Sequence, residues 1–265
     1  GENWEKEMIA LNEQAPTILR ANSLKTSTKH LIEELKHENV ESFQVPGFEN
    51  AVQLEEKKNV FLTSAFKDGF FEVQDAGSQK IGEFLDVKPG MRVVDACAGA
   101  GGKTLHLAAL MENKGQIIAM DIHGWKLAEL KRRAKRAGAH NIETREITDN
   151  KVIKRLHEKA DRLLIDAPCS GLGVLKRNPD SKWKIDQDFI DRIRKEQETI
   201  LQDYSKIIKK GGKMVYATCS ILPSENNEQV ENFLKNNPDF KLVKEEKVMP
   251  STGFDGFYMA LIERV

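Results

Sequence analysis

Of three cysteines in 265 residues, two stand in turn-forming contexts: Cys169 in Asp166-Ala-Pro-Cys-Ser-Gly171, and Cys219 in Thr218-Cys219-Ser220. A thiolate can act as a nucleophile or as a soft metal ligand. With no Cys-x-x-Cys pair and no histidine at ligand spacing, zinc is a poor fit and no metal is expected. A free cysteine is often a small buried hydrophobe, but Pro168, Ser170 and Gly171 are turn residues rather than packing residues. Each cysteine also follows an apolar run, Arg162–Asp166 and Lys213–Thr218. In a parallel sheet such strand ends face one edge, where ligands bind, so two thiols and the Asp166 carboxylate are expected to converge there.

A second constellation follows the run Met91–Asp95. The turn Asp95-Ala-Cys97-Ala98-Gly99-Ala100-Gly101-Gly102-Lys103-Thr104 is rich in small residues that let a ligand approach the backbone. A phosphate-binding P-loop would need glycine where Cys97 stands, and a dinucleotide G-x-G-x-x-G would need it at Thr104. The first reading is poor and the second weakened. Asp121 ends the next apolar run, 20 residues after Gly101, the distance at which a carboxylate can accept both hydroxyls of an adenosine ribose. Nicotinamide and S-adenosylmethionine enzymes share that feature; a capping or solvated aspartate is the plain alternative.

The elements that must position these residues are βα units around a mostly parallel sheet. Strands are expected at Met91–Asp95, Gln116–Asp121, Ile142–Ile147, Arg162–Asp166 and Lys213–Thr218. Helices are expected over Thr104–Glu112, Trp125–Ala137 with Gly138 as its stop, and Gln187–Lys209 ending at Gly211-Gly212. Ser224 should cap a helix reaching Asn236, and Phe240–Val248 with Gly256–Glu263 should close the sheet as an antiparallel hairpin. Ahead lies a small α+β unit: a strand at Thr17–Ala21, a helix over His30–Glu38 capped by Thr26 or Ser27, and strand-like pieces near Phe43, Val52, Val60 and Phe70–Val73. The expected domains are 1–73 and 74–265.

Lys+Arg (41) balance Asp+Glu (41), so any nucleic-acid contact must come from local patches. Lys126–Arg136 is one such patch, read as a solvated helix face; Lys176, Arg177, Lys182 and Lys184 beside Trp183 form another. No apolar run is long enough for a membrane span and no targeting segment opens the chain, so a cytoplasmic protein is expected. The chain opens at Gly1 rather than Met, from which missing upstream residues are expected.

The Asp95–Thr104 turn, Asp166–Gly171, Leu175-Lys-Arg-Asn-Pro179-Asp-Ser-Lys-Trp183 and Thr218-Cys219-Ser220 together resemble RNA cytosine-5 methyltransferases of the Sun/Nop type. The resemblance is greatest to RsmB-like enzymes that act on small-subunit ribosomal RNA, and it extends to Pro16–Asn22 and Asp68–Ser78 in the front unit. It implies a Rossmann-like class I methyltransferase domain with a mostly parallel seven-stranded sheet, preceded by an RRM-like module. An upstream helical domain similar to the NusB family, present in full-length members, is not expected within this stretch of sequence. Where the family reads Ala-Pro inside the first turn, this chain has Gly99-Ala100.

By the same resemblance, the cofactor is S-adenosyl-L-methionine, held by Cys97, Ala98, Gly99, Ala100, Gly101, Gly102 and Lys103, with Asp121 on the ribose and Asp166 nearby. Asp149 would face the adenine, though in Thr148-Asp149-Asn150 it could equally cap a turn. Cytosine C5 is a poor nucleophile until a thiolate adds to C6. Cys219 is the implied nucleophile and Cys169 assists release; the reverse, as in DNA enzymes, is the alternative. Asp166 would hydrogen-bond the cytosine edge and Lys103 support it. The target base must be unstacked, with Lys176, Arg177, Lys182 and Trp183 as first choice for RNA contacts. A monomer is expected. A transfer-RNA enzyme, a non-catalytic RNA-binding assembly factor and a nicotinamide oxidoreductase are the competing readings.

Overall fold

The structure, a computed structural model, describes residues 2–265. The chain opens with helix α1 (Glu2–Leu11), followed by β1 (Ile18–Ala21), α2 (Thr28–His37), β2 (Ser42–Gln44), β3 (Ala51–Leu54), α3 (Ser64–Lys67) and β4 (Phe71–Val73). These four strands form an antiparallel sheet in the order β2-β3-β1-β4. All of β1 is buried, and the two-residue period of a strand says why. Leu19 and Ala21 pack on Leu31 and Leu35 of α2, while Ile18 joins Ala76 and Phe254 on the opposite face. Arg20 shares the second face and is 2% exposed. Ser27 caps α2 by accepting from the His30 amide at 3.2 Å. Val60 is buried as expected of a strand, yet it opens a 3₁₀ turn, Val60–Leu62, capped by Asn59. The three-residue apolar run Val60-Phe61-Leu62 is too short for its pattern to distinguish the two.

Helix α4 (Ala76–Phe84) leads into the second unit: β5 (Arg92–Asp95), α5 (Gly102–Leu110), β6 (Gln116–Asp121), α6 (Gly124–Ala137), β7 (Ile142–Glu146), α7 (Asn150–Lys154), β8 (Ala160–Asp166), α8 (Gln187–Tyr204), β9 (Ile208–Thr218), α9 (Asn227–Asn236), β10 (Phe240–Val248) and β11 (Phe257–Arg264). The seven strands are ordered β10-β11-β9-β8-β5-β6-β7, parallel from β9 to β7, with β11 antiparallel to both its neighbours. Alternate residues serve opposite layers. Val93, Ile117 and Leu164 face a core shared with α4, α5 and α6, whereas Val94, Ile118 and Leu163 face one shared with α7, α8 and α9. Burial on both faces is what makes the central strands continuous apolar runs.

Two expected boundaries shift. Helix α8 stops at Tyr204, and β9 already begins at Ile208 with Gly211-Gly212 inside it. The register jumps there from Ala160–Ile208 to Arg162–Lys213, so the glycines make a bulge rather than a helix stop. Ser224 lies in a 3₁₀ turn, Pro223–Glu225, and α9 starts after Asn226, whose side chain is held by Thr218 and Ser220.

The two units interlock. Asn22 donates to the carbonyls of Gly69 and Ala137, both at 2.8 Å, and Lys25 donates to those of Asp68 and Arg136. Gly69 has φ +73°, and a Cβ there would sit 2.0 Å from the Arg136 carbonyl oxygen, so only glycine permits the approach. Helix α1 packs on the turn Pro250–Thr252, where Glu7 accepts from the Ser251 amide (2.8 Å) and hydroxyl (2.5 Å). Among the described residues no helix is long and apolar enough to cross a membrane.

Candidate active site

Strand β5 ends at Asp95, and the chain turns through Gly99 (φ +54°) and Gly101 (φ +89°) before entering α5. A Cβ on Gly101 would lie 2.5 Å from Leu130 Cγ, so the second glycine lets α6 pack against the turn. Asp121 holds the turn from the next strand. Its Oδ2 accepts from the Gly99 amide at 2.9 Å and its Oδ1 from the His123 amide at 2.8 Å. Asp95 is 1% exposed and accepts from the Thr104 hydroxyl at 2.7 Å; burial pushes its carboxyl up to about 7.

Against this turn lies a cavity of about 350 Å³, within the range of small-molecule sites. Cys97, Gly99, Asp121 and Asp166 line it, together with Ile122, Lys126, Pro168, Ile200 and Tyr204. Ala98, Ala100, Gly101 and Gly102 frame the turn instead. The Ala98 amide bonds the Met120 carbonyl and the Gly101 amide bonds that of Ala98. The Ala100 carbonyl accepts from Arg133 and that of Gly102 from Arg20. Asp149 is exposed, is not among the lining residues, and caps α7 by accepting from the Lys151 amide at 2.7 Å. Ile122 followed Asp121 at a strand end and was discoverable; Ile200 and Tyr204 share a helix face whose orientation only packing reveals.

The two thiols meet because β8 and β9 are parallel neighbours, with Asp166 opposite Ala217. Cys169 and Cys219 each lie just beyond these ends, and their sulfurs are 3.2 Å apart. Lys103 reaches across from α5 to place Nζ 2.6 Å from Asp166 Oδ2. Burial alone would lower the Lys103 pKa, but the Asp166 carboxylate outweighs it and holds the ammonium charged. The Cys219 thiol is brought down by the hydrogen bond from Cys169, aided by the Lys103 charge, against burial and the Asp166 charge. The Cys169 thiol is pushed up by its bond with Cys219, by burial and by the charges of Cys219 and Glu225. Either sulfur can donate in their shared hydrogen bond, so the contact can support a thiolate on one cysteine of the pair. Burial pushes the Cys97 thiol up as well.

The expected RNA set divides. Arg177 is bound at 2.5 Å to Asp255 and at 3.1 Å to Asp75, and Lys176 donates to the Pro250 carbonyl at 3.0 Å. The Arg177 charge is paired within the molecule, because two carboxylates distant in sequence fold against this loop, while Lys176 is held by a backbone carbonyl. Trp183, by contrast, is 82% exposed, with Lys182 Nζ 5.4 Å from its ring centroid. The Lys126–Arg136 patch divides likewise. Lys131, Arg132 and Lys135 are exposed, while Arg133 and Arg136 bind Glu72 at 2.8 and 2.5 Å. Among the described residues there is no cluster of three or more His, Cys, Asp or Glu side chains suited to a metal ion.

Comparison with known proteins adds to this geometry. The family described as 16S rRNA methyltransferase RsmB/F matches residues 83–262, and the RsmF/B-like ferredoxin-like domain matches residues 1–61. The chain is 34% identical to ribosomal RNA small subunit methyltransferase B of Proteus mirabilis over 99% of its own length and 62% of that protein's. It is 36% identical to the probable enzyme of the same name in Bacillus subtilis, over 84% of its length and 50% of the relative's. The chain thus spans between half and five-eighths of these relatives. The crystal structure of PH0851 superposes with a TM-score of 0.96 at 32% identity, covering all of this chain and 63% of the other.

Proposed function

Since this chain belongs to the RsmB/F family of 16S rRNA methyltransferases, we propose that it methylates C5 of a cytosine in small-subunit ribosomal RNA, using S-adenosylmethionine. The observation that carries the reading is the pair of sulfurs 3.2 Å apart beside a cavity lined by Asp121 and Asp166. Residues there suit the cofactor. Asp121 is buried, and each of its oxygens, already held by one amide, keeps acceptor capacity for a ribose hydroxyl. Ile122, Pro168 and Ile200 offer apolar surface for a purine. S-adenosylmethionine supplies the electrophilic methyl group.

The chain's own residues do the rest. Cys219, as its thiolate, adds to C6 of an unstacked cytosine, and the bond makes C5 enamine-like and able to take the methyl group. Asp166, its carboxylate fixed by Lys103, accepts from the cytosine edge and favours protonation at N3 as charge develops there. After a base removes the C5 proton, Cys219 is expelled, and Cys169 assists that release. Lys182 and Trp183 are the RNA contacts, the indole as a stacking surface. The protein acts in the cytoplasm as a monomer, with its boundary between units after residue 73.

The test is transfer of labelled methyl to unmodified small-subunit rRNA and, in parallel, to transfer RNA, with the modified base identified. The reading expects 5-methylcytosine in the ribosomal RNA. Label confined to transfer RNA corrects the substrate, and cofactor binding without label in either RNA supports the assembly-factor reading instead.

A further inference from the structure

Glu225 is 0% exposed, and four donors converge on its carboxylate. Oε1 accepts from the Ser170 amide at 2.8 Å and from Gln197 Nε2 at 3.0 Å. Oε2 accepts from the Ser170 hydroxyl at 2.5 Å and from the Ser220 hydroxyl. Ser170 and Ser220 are the residues immediately after Cys169 and Cys219. The same Gln197 nitrogen donates to the Pro168 carbonyl at 2.9 Å, on the other side of Cys169. Burying a carboxylate is costly unless its acceptor sites are filled, so this cluster is a built feature rather than a passive one.

We propose that Glu225 is a positioning residue that ties the Cys169 loop to the Cys219 loop and thereby sets the separation and mutual orientation of the two thiols. Beyond the β8–β9 pairing, which ends before either sulfur, the backbone joins the two post-strand loops through the Gly173 amide, which donates to the Cys219 carbonyl at 2.9 Å; Glu225 adds the side-chain link at the residues next to both cysteines. The two serine hydroxyls also lie 3.2 Å from one another, so the residues that follow the two cysteines touch directly as well. Glu225 does not line the cofactor cavity, which separates its effect from cofactor binding. The consequence for catalysis rests on the methyltransferase reading; the tie itself does not.

The experiment is disulfide closure of the whole chain by diamide, without RNA or cofactor. Two thiols give up two electrons and two protons to the diazene, which becomes the hydrazine, and the Cys169–Cys219 disulfide is read by mass spectrometry. Wild type is expected to close rapidly. Glu225→Gln, whose amide nitrogen cannot accept from the serines, and the Ser170→Ala/Ser220→Ala double variant are each expected to slow closure about tenfold or more, since small misplacements of reacting atoms are costly. Alkylation of Cys97 is expected to stay unchanged. Methyl-transfer kcat should fall in the same variants, with KM for S-adenosylmethionine retained. Should Glu225→Gln not fold, the serine variant decides. Closure at the wild-type rate in the folded variants overturns the tie, whereas wild type that closes but transfers no methyl group overturns only the enzymatic reading.

Discussion

The Arg20 guanidinium, carried on the front sheet, donates at 2.7 Å to the carbonyl of Gly102, at the head of the helix that follows the glycine-rich turn. Burial pulls its pKa down to about 10, still far above neutrality, so the charge persists. Arg133 makes the matching contact to the Ala100 carbonyl, also at 2.7 Å, while bound to Glu72 of the front sheet. The frame of the cofactor turn is therefore held in part from the front sheet, by Arg20 directly and by Glu72 through Arg133 of α6.

Arg20→Met should accordingly weaken S-adenosylmethionine binding. Loss of a charge-assisted hydrogen bond is worth about 1.5–3 kcal/mol, or roughly ten- to a hundredfold in Kd. Calorimetric titration reads this directly, and a wild-type Kd would show that the front unit does not support the turn.

For the thiols, Cys219→Ala should abolish methyl transfer and leave cofactor affinity nearly unchanged. Cys169→Ala should instead accumulate an SDS-stable protein–RNA adduct. An adduct formed by the Cys219 variant would reverse the two roles.

Lys103→Met removes the positive charge nearest the pair and leaves Asp166 unpaired, and both changes disfavour a thiolate on Cys219. The pH midpoint for alkylation of Cys219 should rise, and kcat should fall about a hundredfold or more. An unmoved midpoint would mean that Cys169 alone polarises the nucleophile.

Asp95 links pH to stability. Its carboxyl binds a proton more tightly when folded, near 7, than when unfolded, near 3.8, so its contribution is present at low pH and lost as pH rises through that interval. At about 1.4 kcal/mol per unit, the loss is on the order of 4 kcal/mol. Urea unfolding of wild type and Asp95→Asn should show the wild type losing ground between pH 4.5 and 7.5. A constant difference would contradict the buried-carboxyl account.

Trp183→Ala should weaken RNA binding by about 1–3 kcal/mol with thermal stability unchanged. Arg177→Met should do the opposite, since it strands Asp75 and Asp255, both nearly buried, at a cost of about 3 kcal/mol. Equal losses of RNA affinity in both variants would place Arg177 back at the RNA.

What the sequence disclosed follows from which forces are local. Runs such as Gln116–Asp121 announce themselves because both faces of a central strand are apolar, and strand ends carry Cys169, Cys219 and Asp121 to one edge by topology alone. Glu225 was invisible: an acidic residue between Ser224 and two asparagines reads as an exposed helix start, and only its distant donors make burial tolerable. Arg177 misled for the same reason, since Asp75 and Asp255 lie 102 and 78 residues away. The bulge at Gly211-Gly212 looked like a stop because paired glycines mark either.

The contact of Glu7 with Ser251 joins residues 244 positions apart. A ten-residue helix is marginal in water without a partner, and the turn that seats α1 leaves the ribosome only after most of the large sheet. Helix α1 is thus made well before the turn on which it docks. Until the closing hairpin forms, Ala10 and Leu11, buried in the finished molecule, have no seat on that turn, so a nascent chain stalled before residue 250 exposes an apolar helix face to whatever chaperone or neighbouring chain is near.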